Sequence, residues 1–299
     1  MRGWFFLLLM GFLPGLAQGL PVAATTPILA DLVREVGGER VRLAQVVPMG
    51  ADPHSFEPRP STLRALSGAR VLFANGLGLE TFLPKLQAGL PPGARTVLLA
   101  EGAPDLICFS EAELRAERAR GLEVHRHGPC DPHLWLEPTY ARLYVERIEA
   151  TLAGLDPRGR AYYAQRRADF LRRLAAVDQE VRACLEAVPP AQRRLVVQHD
   201  AFRYAARYYG FSVVGSLASF AGQQRGPRAL EELARQMRQL GVRVIAAEPQ
   251  FAPREARALA EATGARVVTL FSDTLTREVP TYLALLRHNG RALCEAFRG

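Results

Sequence analysis

Short apolar runs rich in β-branched residues alternate with amphipathic helical stretches along this chain, and the alternation occurs twice. In the first half the runs fall at residues 22–25, 41–47, 71–74 and 97–99; in the second they fall at 195–197, 213–217, 244–247 and 267–270. Apolar runs of this length between helices suit strands covered on both faces, so each half predicts a four-stranded parallel sheet flanked by helices. Local signals agree. Thr26-Pro27 opens ILADLVREV with a cap and a first-turn proline, and Gly37-Gly38 closes it.

Between the halves, Tyr162, Phe170, Leu174, Val177, Val181 and Leu185 recur at helical spacing. They predict one long helix joining the lobes, with Asp156 as its cap and Pro189-Pro190 as its stop. The expected organisation is a signal segment at 1–19, a first α/β lobe at 20–154, a linking helix at 155–189 and a second α/β lobe at 190–299. A continuous helix is a stiff connection. Lobe motion should therefore be small, and a large change in radius of gyration on metal addition would count against this.

Residues 1–19 carry one basic residue, Arg2, then an apolar run, then the small residues Ala17 and Gly19, the pattern of a cleaved secretory signal. The run is shorter than a membrane span needs, and Pro14 interrupts it. No cysteine follows it to carry a lipid. A soluble protein in the periplasm, or another extracytoplasmic space, is expected. The four cysteines suit that oxidising setting. Cys108 and Cys130 bracket a polar excursion and are the first pair expected to bridge, whereas Cys184 and Cys294, both in predicted helices, read as buried thiols. No CxxC pair is present, so a cysteine zinc site is not expected.

The formal charge of +8 comes from arginine, since Lys85 is the only lysine. The arginines are interleaved with acids along helix faces, as a solvated surface requires, and no nucleic-acid partner is expected.

Asp-Pro-His occurs twice, as Asp52-Pro53-His54 and Asp131-Pro132-His133, each followed shortly by Glu-Pro. Proline fixes its own φ and biases the preceding residue towards extended backbone, so each histidine leaves a stiff loop, as a metal ligand should. His54 follows the second predicted strand, His133 ends the polar excursion, and His199 comes directly after the strand LVVQ. After the last strand of the second half stands Phe271-Ser272-Asp273-Thr274, which offers a carboxylate in the corresponding place. Ligand sites in parallel sheets lie outside the carboxyl ends of strands. Three imidazoles and one carboxylate make a four-coordinate site for a borderline divalent ion.

GADPHSFEPRPS, DPHLWLEP, QHDAFRYAARYYG, AEPQF and LFSDTL, in this order and with a long helix between the second and third, resemble the zinc/manganese solute-binding proteins of bacterial ABC importers. The resemblance covers nearly all of the chain after residue 19. It implies an α/β fold of two Rossmann-like lobes with four-stranded parallel sheets, joined by one long helix, with a divalent transition metal held between them. It also implies delivery of that metal to an ABC-type permease in the cytoplasmic membrane, by a monomeric receptor that is not an enzyme. The family's ligands carry over to His54 and His133 from the first lobe and to His199 and Asp273 from the second. This chain departs from the zinc-specific pattern in having only His125 and His127 where such members often carry a longer histidine-rich loop. It departs again at Gln223-Gln224-Arg225-Gly226-Pro227, where the family often begins a helix with Glu-Pro-Ser.

Three histidines with one carboxylate favour Zn²⁺ over Mn²⁺, which prefers more oxygen ligands. Manganese remains the alternative. From another class, a secreted zinc-dependent hydrolase would keep an open metal position beside a general base, but no HExxH helix or GxSxG elbow is present. Glu57, Asp131, Glu137, Asp200 and Glu248 are candidates to accept the second imidazole N–H of a ligand. Trp135 and Phe56 are expected to pack around the site, and His288 reads as structural.

Overall fold

Each of the eight apolar runs forms a strand in the computed structural model, which describes residues 19–119, 128–218 and 226–299. Residues 1–18 of the expected signal, His125, His127 and Gln223-Gln224-Arg225 lie outside the described residues. In the first lobe β1 (Leu20–Ala24), β2 (Val41–Gln45), β3 (Val71–Ala74) and β4 (Arg95–Leu98) form a parallel sheet in the order β2-β1-β3-β4. In the second, β5 (Arg194–Val197), β6 (Ser212–Ser216), β7 (Val244–Ala247) and β8 (Arg266–Thr269) form another in the order β6-β5-β7-β8. Counted from each lobe's first strand, the two orders are the same. Strand order reverses direction between β1 and β3 and between β5 and β7, and such a switch point opens a crevice at the carboxyl ends of the strands.

The helices are α1 (Pro27–Gly37), α2 (Pro60–Leu66), α3 (Leu83–Ala88), α4 (Glu111–Ala119), α5 (Pro138–Leu155), α6 (Arg160–Glu186), α7 (Arg203–Tyr209), α8 (Pro227–Leu240), α9 (Arg254–Thr263) and α10 (Tyr282–Arg298). Thr26 caps α1 by accepting the Leu29 N–H at 3.2 Å, and Gly38 ends it at a φ of 51°. That end is the one expected from Gly37-Gly38.

The linking helix α6 runs for 27 residues and buries Phe170, Leu174, Val177, Val181 and Leu185 along one stripe. Its first buried aromatic is Tyr163, not Tyr162. Asp156 is not its cap, because a 3₁₀ turn at Pro157–Gly159 intervenes. Instead Asp156 Oδ2 accepts bonds from Arg40 Nε at 2.9 Å, Arg40 Nη2 at 2.7 Å and the Tyr163 hydroxyl at 2.8 Å. The carboxylate thus ties the start of the helix to the first lobe.

Burial is shared between the lobes. One apolar cluster takes in residues of β1, β3 and α1 from the first lobe, α5 and α6, and β5, β7, α7 and α10 from the second. Each fully buried Phe or Leu in it stabilises the fold by about 1.5–3 kcal/mol. Helix α10 packs tightly on α6 because position 290 is glycine; a Cβ there would overlap Val181. The same pair of helices is cross-linked by Cys184–Cys294, with a Cα separation of 5.9 Å. The reading of these two cysteines as separate buried thiols is therefore corrected. Their pairing depends on the contact between α6 and α10, which local sequence does not reveal. Cys108 and Cys130 form the expected bridge.

Candidate metal centre

Both Asp-Pro-His copies fold the same way at the backbone. Asp52 Oδ1 accepts the His54 N–H at 2.9 Å, and Asp131 Oδ1 accepts the His133 N–H at 3.0 Å, closing a tight Asx turn around each proline. The two aspartates then diverge. Asp52 Oδ2 accepts the Ser55 hydroxyl at 2.7 Å, whereas Asp131 Oδ1 also accepts His133 Nδ1–H at 2.6 Å.

His199 emerges past the end of β5 and Glu248 past the end of β7, neighbouring strands at the switch point. Glu248 Oε1 accepts His199 Nδ1–H at 2.8 Å. The segment after β8 is pinned by Asn289 of α10, which accepts the Phe271 N–H at 2.8 Å and donates to the Phe271 carbonyl at 2.7 Å. Asp273 follows two residues later and is wholly buried.

These loops bring His54, His133, His199 and Asp273 together, with their donor atoms all within 4.8 Å of one another. His133 Nε2 lies 3.3 Å from His54 Nε2 and 3.4 Å from His199 Nε2. Asp273 Oδ2 lies 3.3 Å from His54 Nε2 and 3.1 Å from His199 Nε2, and Oδ1 lies 3.5 Å from His133 Nε2. A tetrahedron of donors about 2.0–2.1 Å from a central ion has edges of about 3.3–3.4 Å. The five contacts above, at 3.1–3.5 Å, lie close to such an edge.

The electrostatics favour a cation. Burial by itself would raise the Asp273 pKa, but the facing imidazoles of His199, His133 and His54 outweigh it and hold the carboxyl well below its usual range. Burial likewise opposes charge on His199, yet Glu248 and Asp273 on either side raise its pKa well above 6.5. Asp273 Oδ1 is buried without a hydrogen-bond partner. An oxygen in that position needs a positive neighbour.

Of the five carboxylates considered as imidazole partners, Asp131 and Glu248 take that part and the other three do not. Glu57 pairs with Lys85 at 3.0 Å, Glu137 with Arg207 at 2.9 Å, and Asp200 accepts Arg203 Nε at 2.7 Å. Trp135 stands edge-on to His133, with ring centres 5.5 Å apart, and its indole donates to the Ser272 carbonyl at 2.7 Å. Phe56 packs on Phe82. His288 accepts the structural reading, with Nε2 3.0 Å from the Thr269 carbonyl and its ring against Phe271.

Three further residues complete the surroundings of the site without having been singled out by sequence reasoning. Phe251 stands edge-on to His199, with ring centres 5.5 Å apart. Gln250 Nε2 donates to Glu248 Oε2 at 2.9 Å and to Ser272 Oγ at 3.0 Å, and the Ser272 hydroxyl in turn donates to Glu248. The available signal was the position of Glu-Pro-Gln-Phe at the end of a switch-point strand.

The chain matches the family described as zinc-uptake complex component A, periplasmic, over residues 22–296. A putative metal-binding protein of Treponema pallidum (strain Nichols) is 31% identical over 273 residues, covering 90% of this chain and 84% of the relative. The manganese-binding lipoprotein MntA of Halalkalibacterium halodurans is 27% identical over 276 residues, covering 91% and 86%. Among solved structures, the periplasmic zinc-binding protein TroA from Treponema pallidum superposes with a TM-score of 0.82 at 25% identity, covering 93% of this chain and 99% of that one.

Proposed function

The chain belongs to the periplasmic zinc-uptake component A family, the metal-binding receptors of ABC importers, and from that membership we propose that His54, His133, His199 and Asp273 hold one divalent ion, Zn²⁺, as cargo. Members of this family bind a substrate and do not transform it, so the chain is a receptor and not an enzyme. The observation that carries the proposal is the convergence of three imidazoles and one carboxylate through five contacts of 3.1–3.5 Å, two of the imidazoles being held by buried acids. With the ion bound, the Nδ1–H groups of His133 and His199 donate to Asp131 and Glu248, which leaves each Nε2 lone pair for the ion.

In this reading the receptor is a monomer in the extracytoplasmic space. It captures the ion between its lobes and docks, loaded, on a permease of the cytoplasmic membrane, which draws the ion inward. Nitrogen-rich donors favour zinc. The manganese alternative is supported by the second oxygen of Asp273, whose lack of a hydrogen-bond partner would let the carboxylate bind with both oxygens and enlarge the coordination number.

Elemental analysis of protein purified without added metal, followed by competition between Zn²⁺ and Mn²⁺, tests the assignment. One zinc per chain and a preference for zinc are expected. The His54→Ala/His199→Ala double variant should lose the stoichiometric ion, and retention of one ion per chain by that variant refutes the ligand set.

A further inference from the structure

The polar excursion after β4 leaves the first lobe at Cys108 and returns at Cys130, and only Asp131 and Pro132 separate that return point from His133. A chain re-entering from a long excursion has no intrinsic reason to deliver an imidazole within tenths of an ångström. Three sets of contacts constrain it here.

The disulfide closes the neck of the excursion, with Cys108 and Cys130 forming an antiparallel bridge at a Cα separation of 3.9 Å. Flanking it, the Phe109 N–H donates to the Pro129 carbonyl at 2.7 Å and the Asp131 N–H donates to the Ile107 carbonyl at 2.9 Å. From the second lobe, the Tyr204 hydroxyl accepts the Ile107 N–H at 3.0 Å and donates to the Asp131 carbonyl at 3.0 Å. One hydroxyl therefore joins both strands of the neck. Tyr204 is itself fully buried, edge-on to Tyr140 and under the guanidinium of Arg207, so its direction is set. On the return side, Asn75 Nδ2 donates to the Pro132 carbonyl at 2.9 Å.

We infer that the Cys108–Cys130 disulfide and the Tyr204 hydroxyl form a brace that positions Asp131 and, through it, the His133 imidazole. Tyr204 and Cys108 are positioning residues: neither touches the ion. Tyr204 comes five residues after His199 on the same segment, so the part of the chain that carries a second-lobe ligand also orients a first-lobe one. The other Asp-Pro-His copy shows the contrast, since Asp52 gives its second oxygen to Ser55. This inference rests on the reading of His133 as a ligand.

The test uses the full chain with Tyr204→Phe, Cys108→Ser/Cys130→Ser, Cys184→Ser/Cys294→Ser and His133→Ala. Zinc affinity is measured by chelator competition, and Co²⁺ serves as a probe whose ligand-field absorption reports donor geometry. Tyr204→Phe and Cys108→Ser/Cys130→Ser should each weaken zinc binding by about 10–100-fold, the usual effect of disturbing a group behind a ligand, and should alter the cobalt spectrum. Cys184→Ser/Cys294→Ser should leave both as in the wild type. Wild-type affinity and spectrum in either brace variant overturns the inference, as does an equal loss in the Cys184/Cys294 pair. If the cysteine variant fails to fold, Tyr204→Phe, which keeps the ring, decides alone. His133→Ala separates the two levels: wild-type binding by that variant sinks the ligand assignment, whereas weak binding there with an intact Tyr204→Phe sinks only the brace.

Discussion

Glu248 Oε1 accepts two bonds from the same residue, the backbone N–H of His199 at 3.3 Å and its ring Nδ1–H at 2.8 Å. A carboxylate so placed fixes both where the imidazole stands and which nitrogen carries the proton. Glu248→Gln keeps the shape but offers an amide that can donate to Nδ1, leaving the proton on the nitrogen that must face the ion. Zinc affinity should fall by about 10–100-fold, measured by chelator competition. Unchanged affinity would remove Glu248 from the account.

Proton competition should make binding weaker in acid. Glu248 and Asp273 raise the His199 pKa well above the ordinary histidine value, so in the metal-free protein a proton competes for its imidazole over a higher pH range than for a free histidine. Asp273, held well below the usual carboxylate range, stays ionised and adds no pH dependence near neutrality. Zinc affinity should therefore rise with pH through the ordinary histidine range and continue to rise above it. For the metal-free fold the sign is the reverse: the raised His199 pKa contributes stability that is full below about 6.5 and is lost as pH rises through its folded value. A flat affinity profile would be incompatible with the three-histidine site.

Asp31 of α1 accepts the Tyr282 N–H at the start of α10 at 2.8 Å, in a buried setting that pushes its pKa up from 3.8 to about 6. Between those values the folded protein holds a proton that the unfolded chain does not, so stability falls as pH rises from about 4 to about 6. Asp31→Asn retains an acceptor for Tyr282 and removes the ionisation. It should stabilise the fold at pH 7.5 by about 1–3 kcal/mol, the gain disappearing near pH 4. Denaturant titrations at both pH values measure this, and an equal effect at each would contradict the burial argument.

The Cys184–Cys294 bridge closes a sequence separation of 110 between α6 and α10, away from the four donors. Replacing both cysteines by serine should lower stability by about 2–5 kcal/mol, because the unfolded chain regains the freedom that the long loop had lost. Zinc affinity should stay as in the wild type. Thermal melting with a parallel binding titration separates the two effects.

The fold was legible because strands buried in parallel sheets read as unbroken apolar runs, and residues 71–74 and 244–247 coincide with β3 and β7. The candidate donors were legible because His54, His199 and Asp273 each come after a strand, where parallel sheets open, and His133 repeats the Asp-Pro-His of the His54 loop. Which acid stands behind which imidazole was not. Asp200 is closer in sequence to a candidate ligand than Asp131 is, and Glu57 and Glu137 stand only a few positions from His54 and His133, but Arg203, Lys85 and Arg207 draw them elsewhere. Glu248 lies 49 positions from His199 and reaches it only because β5 and β7 are neighbours. The same holds for Cys184 with Cys294, and for Asp156, whose partner Arg40 lies 116 positions away.

One apolar cluster runs from β1 and β3 through α6 and α10 to β5 and β7, so the two sheets share the covering of one face each. The lobes should therefore unfold as a single cooperative unit. An ion bound only to the folded state stabilises that unit by RT ln(1 + [L]/Kd), which lowers the population of the open chain. Among extracytoplasmic proteases, the loaded receptor would outlive the empty one, and the supply of metal would help set how much receptor persists.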